Sequence, residues 1–107
     1  MIPFEIHPAA LQEFHDAVEY YWSADPKIAA DFGRTYLKKR ESARDNPLLY
    51  RTREGEVRRA NFGAQFKEWY IAFILWNEKV VVLAVAHAKR RPYYFRARIA
   101  EAQKLFP

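Results

Sequence analysis

The 107-residue chain contains no cysteine, which excludes a disulfide framework and a thiolate metal site alike. Histidine is scarce too, with three in all. His15 and Glu19 share a helical spacing of four, but a complete ligand set is hard to assemble from so few, and neither a metal nor another cofactor is expected. The longest apolar runs, "WYIAFILW" and "VVVLAVA", fall far short of the roughly 18 residues that span a bilayer. The opening "MIPFEIHPAALQEF" has no basic region followed by an apolar core, so no secretory signal is expected. P-loop, Rossmann and GxSxG patterns are missing, as are repeats, low-complexity segments and linkers. The expectation is a single soluble, cytoplasmic domain over residues 1–107, with no membrane association.

What is present is charge, unevenly placed. The formal net charge is +5. Residues 1–50 carry six Lys/Arg against eight Asp/Glu, residues 51–98 carry eleven against four, and the last nine residues cancel. A positive field concentrated on one part of a domain favours a polyanion or an acidic protein partner. The plainer alternative is a solvated basic surface.

"PFEI" reads as a short strand. From Pro8 to Ala24 the apolar positions Leu11, Phe14, Val18, Tyr21 and Trp22 recur at steps of three and four, one stripe of an amphipathic helix. Asp25-Pro26 supplies an N-cap and a favourable first helical residue. The second helix buries Ala29, Phe32, Tyr36 and Ala43, flanked by Ile28 and Leu37, and ends at Asn46-Pro47. Gly33 in its interior suggests a close approach by the neighbouring helix. "EVRRANF", "QFKEWYIAFILW" and "KVVVLAVAH" then read as strands, the last two joined by a tight hairpin at Asn77-Glu78. The predicted fold is α+β, in the order β-α-α-β-β-β. A helical hairpin packs on an antiparallel sheet, followed by a short C-terminal helix or turn. Ile71–Trp76 and Val80–Ala86 do not alternate with polar residues, so both sheet faces should be covered. The C-terminal segment, a second copy or another protein could cover the face that the helices leave.

The apolar last strand runs into a basic, aromatic tail, "AHAKRRPYYFRAR". Period two places His87 on the side of Val81, Leu83 and Val85. It could move a proton or grip a phosphate, or simply hydrogen-bond the backbone. Lys89, Arg90, Arg91, Arg96 and Arg98 follow, with Tyr93, Tyr94 and Phe95 between them. Guanidinium forks suit phosphates and aromatic faces suit bases, although ordinary packing claims one or two of the rings. Arg58 and Arg59 on a strand, with Arg51 and Arg53 on the loop before it, could converge with the tail.

The order of these parts resembles the RelE/ParE superfamily of bacterial toxins from type II toxin–antitoxin modules. The resemblance runs over nearly the whole chain, through "HPAALQEFHDAVEYY", "NPLLYRTREGEVRRANF" and "YIAFILWNEKVVVLAVAHAKRRPYYF". The last piece is the most specific. Members of the ParE-like branch, often called plasmid stabilisation proteins, commonly end their last strand in a similar "AVAH" followed by arginines, proline and aromatics. The resemblance implies a growth-inhibiting toxin neutralised by a cognate antitoxin, as a homodimer or a toxin–antitoxin hetero-oligomer. RelE-like members act on the ribosome and cut mRNA, whereas ParE-like members poison DNA gyrase. If the chain is a ribosome-dependent endoribonuclease, His87, Arg91, Tyr93 and Tyr94 are the candidate catalytic residues. Arg58, Arg59, Lys89 and Arg90 are the candidates for binding the target. A reading from another class is a non-toxic protein- or nucleic-acid-binding module without catalysis.

Overall fold

The computed structural model describes residues 3–107. Strand β1 (Phe4–Ile6) leads into helices α1 (Pro8–Ala24) and α2 (Pro26–Asp45), followed by strands β2 (Thr52–Glu54), β3 (Val57–Asn61), β4 (Trp69–Trp76) and β5 (Lys79–His87) and helix α3 (Arg98–Leu105). The sheet order is β1-β5-β4-β3-β2. β1 lies parallel to β5, and the other neighbours are antiparallel. The α+β fold with a helical hairpin on an antiparallel meander is as the periodicity predicts. One strand was not foreseen: β2, a three-residue edge strand, carries Arg53, which the sequence places on a loop.

The helix boundaries follow local chemistry. Asp25 caps α2 by accepting a bond from the Lys27 amide at 2.9 Å, with Pro26 at the first helical position. His7 caps α1, its ring Nδ1 accepting from the Ala9 amide at 3.0 Å. The two-residue β4–β5 turn places Asn77 and Glu78 at φ 50° and 64°, the left-handed pair that matches the twist of a tight hairpin.

The hairpin α1–α2 covers one sheet face with an aromatic core that includes Phe32, Phe62, Phe66 and Phe73. Ala10 and Ala17 are the buried positions of α1, whereas Leu11 and Trp22 are 42% and 61% exposed. Phe14, Val18 and Tyr21 pack against that core as expected, so the buried stripe keeps the middle of the predicted one and shifts toward the alanines at the expense of Leu11 and Trp22. Small side chains let the helix lie close to the sheet, and Leu11 and Trp22 at the margin stay wet. In α2 the buried residues are Ala29, Phe32, Tyr36 and Ala43, as expected, and Leu37 is exposed.

The second sheet face is covered by the chain's own C-terminal segment. Phe95 and Ala102 are buried there against Ile74, Val81 and Leu83, with Tyr94, Ile99 and Phe106 packed around them. Burying Phe95 alone contributes on the order of 1.5–3 kcal/mol. The missing alternation in β4 and β5 is thus accounted for within the chain, and does not itself require an antitoxin or a second copy on that face.

A bulge sets the parity of β5. Ala72 pairs with Ala84 and Phe73 with Val82, so Leu83 is an extra residue. Val80, Val82 and Val85 consequently face the helical hairpin, while Val81, Leu83, Ala84 and Ala86 face the C-terminal cover. His87, paired with Trp69, therefore shares the side of Val85, Val82 and Val80. It does not share the side of Val81 and Leu83, as uninterrupted period two predicts.

Gly33 also departs from its expected role, because a Cβ built there meets nothing within 4 Å. No close helix approach requires it. Gly33→Ala should stabilise the protein by about 0.5–1 kcal/mol through helix propensity, read as a raised denaturation midpoint with an unchanged slope. A lowered midpoint would mean that the site needs glycine after all.

Candidate functional site

The bulge creates a demand for hydrogen-bond partners, and the basic tail is organised around meeting it. β1 pairs with β5 only as far as Val82. Just beyond, the Val85 amide donates to Glu13 Oε1 at 3.1 Å, and the Leu83 carbonyl accepts from Arg98 Nη1 at 3.0 Å. Glu13 and Arg98 also bond each other, at 2.8 Å and 3.2 Å. One ion pair therefore satisfies the carbonyl of the bulged residue and the Val85 amide just after it, as buried backbone polar groups require.

Glu13 stands on α1 between the buried Ala10 and Ala17, with its side chain 13% exposed. Two further donors reach its carboxylate: Arg90 Nη1 at 3.1 Å and the Tyr94 hydroxyl at 2.5 Å. The Arg90 guanidinium lies 3.8 Å above the Tyr94 ring centre, and that of Arg98 lies 5.2 Å from it. Burial raises the Tyr94 pKa, and its bond to the Glu13 carboxylate raises it further, so the phenol is held protonated. Burial opposes the Arg98 charge, but hydrogen bonding and attraction from Glu13 outweigh it and raise the guanidinium's pKa.

His87 is engaged at both ring nitrogens. Nδ1 accepts from the Lys89 amide at 3.0 Å, and Nε2 lies 3.0 Å from Glu68 Oε2. Accepting at Nδ1 puts the neutral-form proton on Nε2, facing Glu68. Its ring stands edge-on to Trp69 at 5.0 Å. A cleft between α1 and the ends of β4 and β5 brings His87 and Arg90 together with Asp16, Tyr20 and Trp69.

The predicted residues do not form one site. Arg91, Tyr93, Tyr94 and Arg96 line a second cleft with Glu54 of β2. Tyr93, at φ 60°, packs edge-on to Phe95. Lys89, Arg91 and Arg96 are exposed, and so is Arg90 despite its bond to Glu13. Arg59, on the face of the C-terminal cover, lies 4.0 Å over the Tyr70 ring. Burial raises the Tyr70 pKa, and Tyr70 belongs to the cluster against which Tyr93, Tyr94 and Phe95 pack, which puts Arg59 beside the tail. Arg58 belongs to the opposite face and donates to the Tyr50 carbonyl at 2.6 Å. Thus Arg59 can join the tail, while Arg58 holds the loop before β2. The sequence reading missed Glu13 and Tyr70. Its one available signal for Glu13 was an acid beside the apolar stripe of α1.

The folded protein holds the Tyr94 proton more tightly than the unfolded chain does. That contribution is fully present below the ordinary tyrosine pKa of about 10 and is lost as pH rises through the raised folded value. Tyr94→Phe should cost about 2 kcal/mol at pH 7 and flatten the loss of stability above pH about 10, measured by denaturant unfolding across a pH series. Tyr36 and Tyr70, also raised by burial, keep part of that slope. An alkaline slope identical to that of the unsubstituted protein would contradict the Tyr94–Glu13 assignment.

Compared with models of known families, residues 4–92 match that of the ParE toxin of type II toxin-antitoxin system, parDE. The matched span takes in Glu13, His87, Arg90 and Arg91 and stops short of Tyr93, Tyr94 and Arg98. No curated protein matches the chain. With most of its length matched and the strand–hairpin–meander order in place, the chain belongs to the ParE toxin family of type II toxin–antitoxin systems.

Proposed function

We propose that this toxin arrests growth in the cytoplasm by binding DNA gyrase, is neutralised by a cognate antitoxin in a hetero-oligomeric complex, and thereby serves plasmid stabilisation. The effector surface is the exposed set Lys89, Arg91 and Arg96 with Tyr93, joined by Arg59. The observation that carries gyrase over ribosome-bound mRNA is the engagement of the proton carriers. RNA cleavage needs a group to take the 2′-hydroxyl proton and another to protonate the leaving oxygen. Both ring nitrogens of His87 already have partners. The Tyr94 phenol is fixed to Glu13 and resists ionisation. Tyr93 remains, sharing its cleft with Glu54 but hydrogen-bonded to no carboxylate or imidazole among the described residues. A surface that binds an acidic protein face needs none of these groups as an acid or base, only accessible cations and aromatic rings. No helix of the described residues is long and apolar enough to cross a membrane.

The test is induced expression without the antitoxin, scoring growth, gyrase supercoiling and mRNA integrity. Arg91→Ala with Arg96→Ala should abolish growth arrest while moving stability by no more than about 0.5 kcal/mol, since both side chains are exposed. Tyr93→Phe and His87→Gln should leave arrest largely in place. Ribosome-dependent mRNA cuts that disappear with Tyr93→Phe would replace this reading with the endoribonuclease one. Arrest unchanged by the double arginine substitution would remove the effector surface.

A further inference from the structure

We infer that Glu13 is the positioning residue of the effector turn, an acid inside a basic surface that decides which arginines face outward. The inference rests on the proposed effector role of Arg91, Arg96 and Tyr93. The turn between β5 and α3 has mainly local backbone bonds, such as Arg90 to His87, Tyr94 to Arg91, Arg96 to Tyr93 and Arg98 to Phe95. Bonds of that kind shape a turn without fixing it to the rest of the molecule. Beyond the Ala88 amide's bond to the Glu68 carbonyl and the burial of Phe95, the side chains that bond Glu13 do that, and they alternate along the chain with cations that Glu13 does not hold. Arg90, Tyr94 and Arg98 bond Glu13, Arg90 with part of its side chain still in solvent, whereas Arg91 and Arg96 lie between them, exposed and without a bond to Glu13. A single carboxylate on α1 thus pins the beginning, middle and end of the segment.

Its charge matters as much as its shape. Arg90 and Arg98 both crowd the Tyr94 ring, and the negative charge between the two guanidinium groups offsets their mutual repulsion. Glutamine keeps the size of Glu13 and one oxygen for the Val85 amide. It replaces the other oxygen with a donor that faces further donors, and leaves the two cations unneutralised. The Glu13 side chain is largely buried and its oxygens are occupied, so it acts through the turn without touching the target.

Hydrogen exchange of the full-length protein, read by mass spectrometry, tests this together with growth arrest. Glu13→Gln should lower protection at least tenfold in residues 88–98 and at Val85. Protection in α2, β3 and β4 should be unchanged, and growth arrest should weaken at least tenfold in inducer dose. Adding Arg90→Gln removes one of the opposed cations and should restore part of the lost protection, which a purely steric role for Glu13 does not predict. Should Glu13→Gln fail to fold, Arg98→Lys keeps the charge, loses the fork, and should show the same local loss. Unchanged protection in residues 88–98, or an equal loss throughout the molecule, would overturn the inference. Local loss with undiminished arrest would instead overturn the effector role of the turn on which it rests.

Discussion

A carboxylate removed from most of its water is costly unless charge and hydrogen bonds replace that water, and the Glu13 carboxylate is placed where they do. Two guanidinium groups, a phenol and a backbone amide converge on it. Each donor comes from a different structural problem. Val85 belongs to the bulged strand, Arg90 to the basic turn, Tyr94 to the cover of the second sheet face, and Arg98 to the start of α3. Solving them with one acid ties α1, on one side of the sheet, to the C-terminal segment on the other. A second link runs in parallel, from His7 Nε2 to Glu101 Oε1 at 2.9 Å. Both links start from the β1–α1 region, so the order of the last twenty residues depends on the first fifteen.

That dependence sorts the cations of a strongly basic chain. Arg58 holds the Tyr50 carbonyl, Arg90 and Arg98 hold Glu13, and Arg59 lies over Tyr70. Net charge alone cannot make this distinction, because the Glu13 carboxylate offsets part of the charge of Arg90 and Arg98 and so weakens their share of the field outside. The un-neutralised part of the outward field comes from Lys89 and from Arg91 and Arg96 between the anchors. A toxin of this family that works by binding gains from such a division, since a surface held in one arrangement loses less entropy on meeting its target.

The helices and the β3–β5 meander were legible because periodicity is a property of local sequence. The shift from steps of three and four to extended apolar runs after Pro47 marks the boundary plainly. The parity of β5 was not legible. In "VVVLAVAH" no polar residue marks which face is which, so an extra residue at Leu83 leaves no trace in the pattern while moving His87 to the other side of the sheet. β2 escaped because three exposed residues next to Gly55 read equally well as a loop. The tail was legible as a cluster of cations and rings, but not as anchored and exposed halves. That division depends on Glu13, some eighty residues away in sequence, and on which α1 face its alanines bury.

The account stands on the coupling between Glu13 and Arg98, and a double-mutant cycle of unfolding free energies measures it directly. Glu13→Gln, Arg98→Met and the double variant would be unfolded in denaturant at neutral pH. If the pair jointly satisfies the bulge and anchors the cover, each single change leaves the other's buried partner stranded. The double change should then cost less than the sum of the singles by about 1 kcal/mol or more. Additivity within about 0.3–0.5 kcal/mol would mean that the two residues act independently and that the bulge and the tail are held by other means.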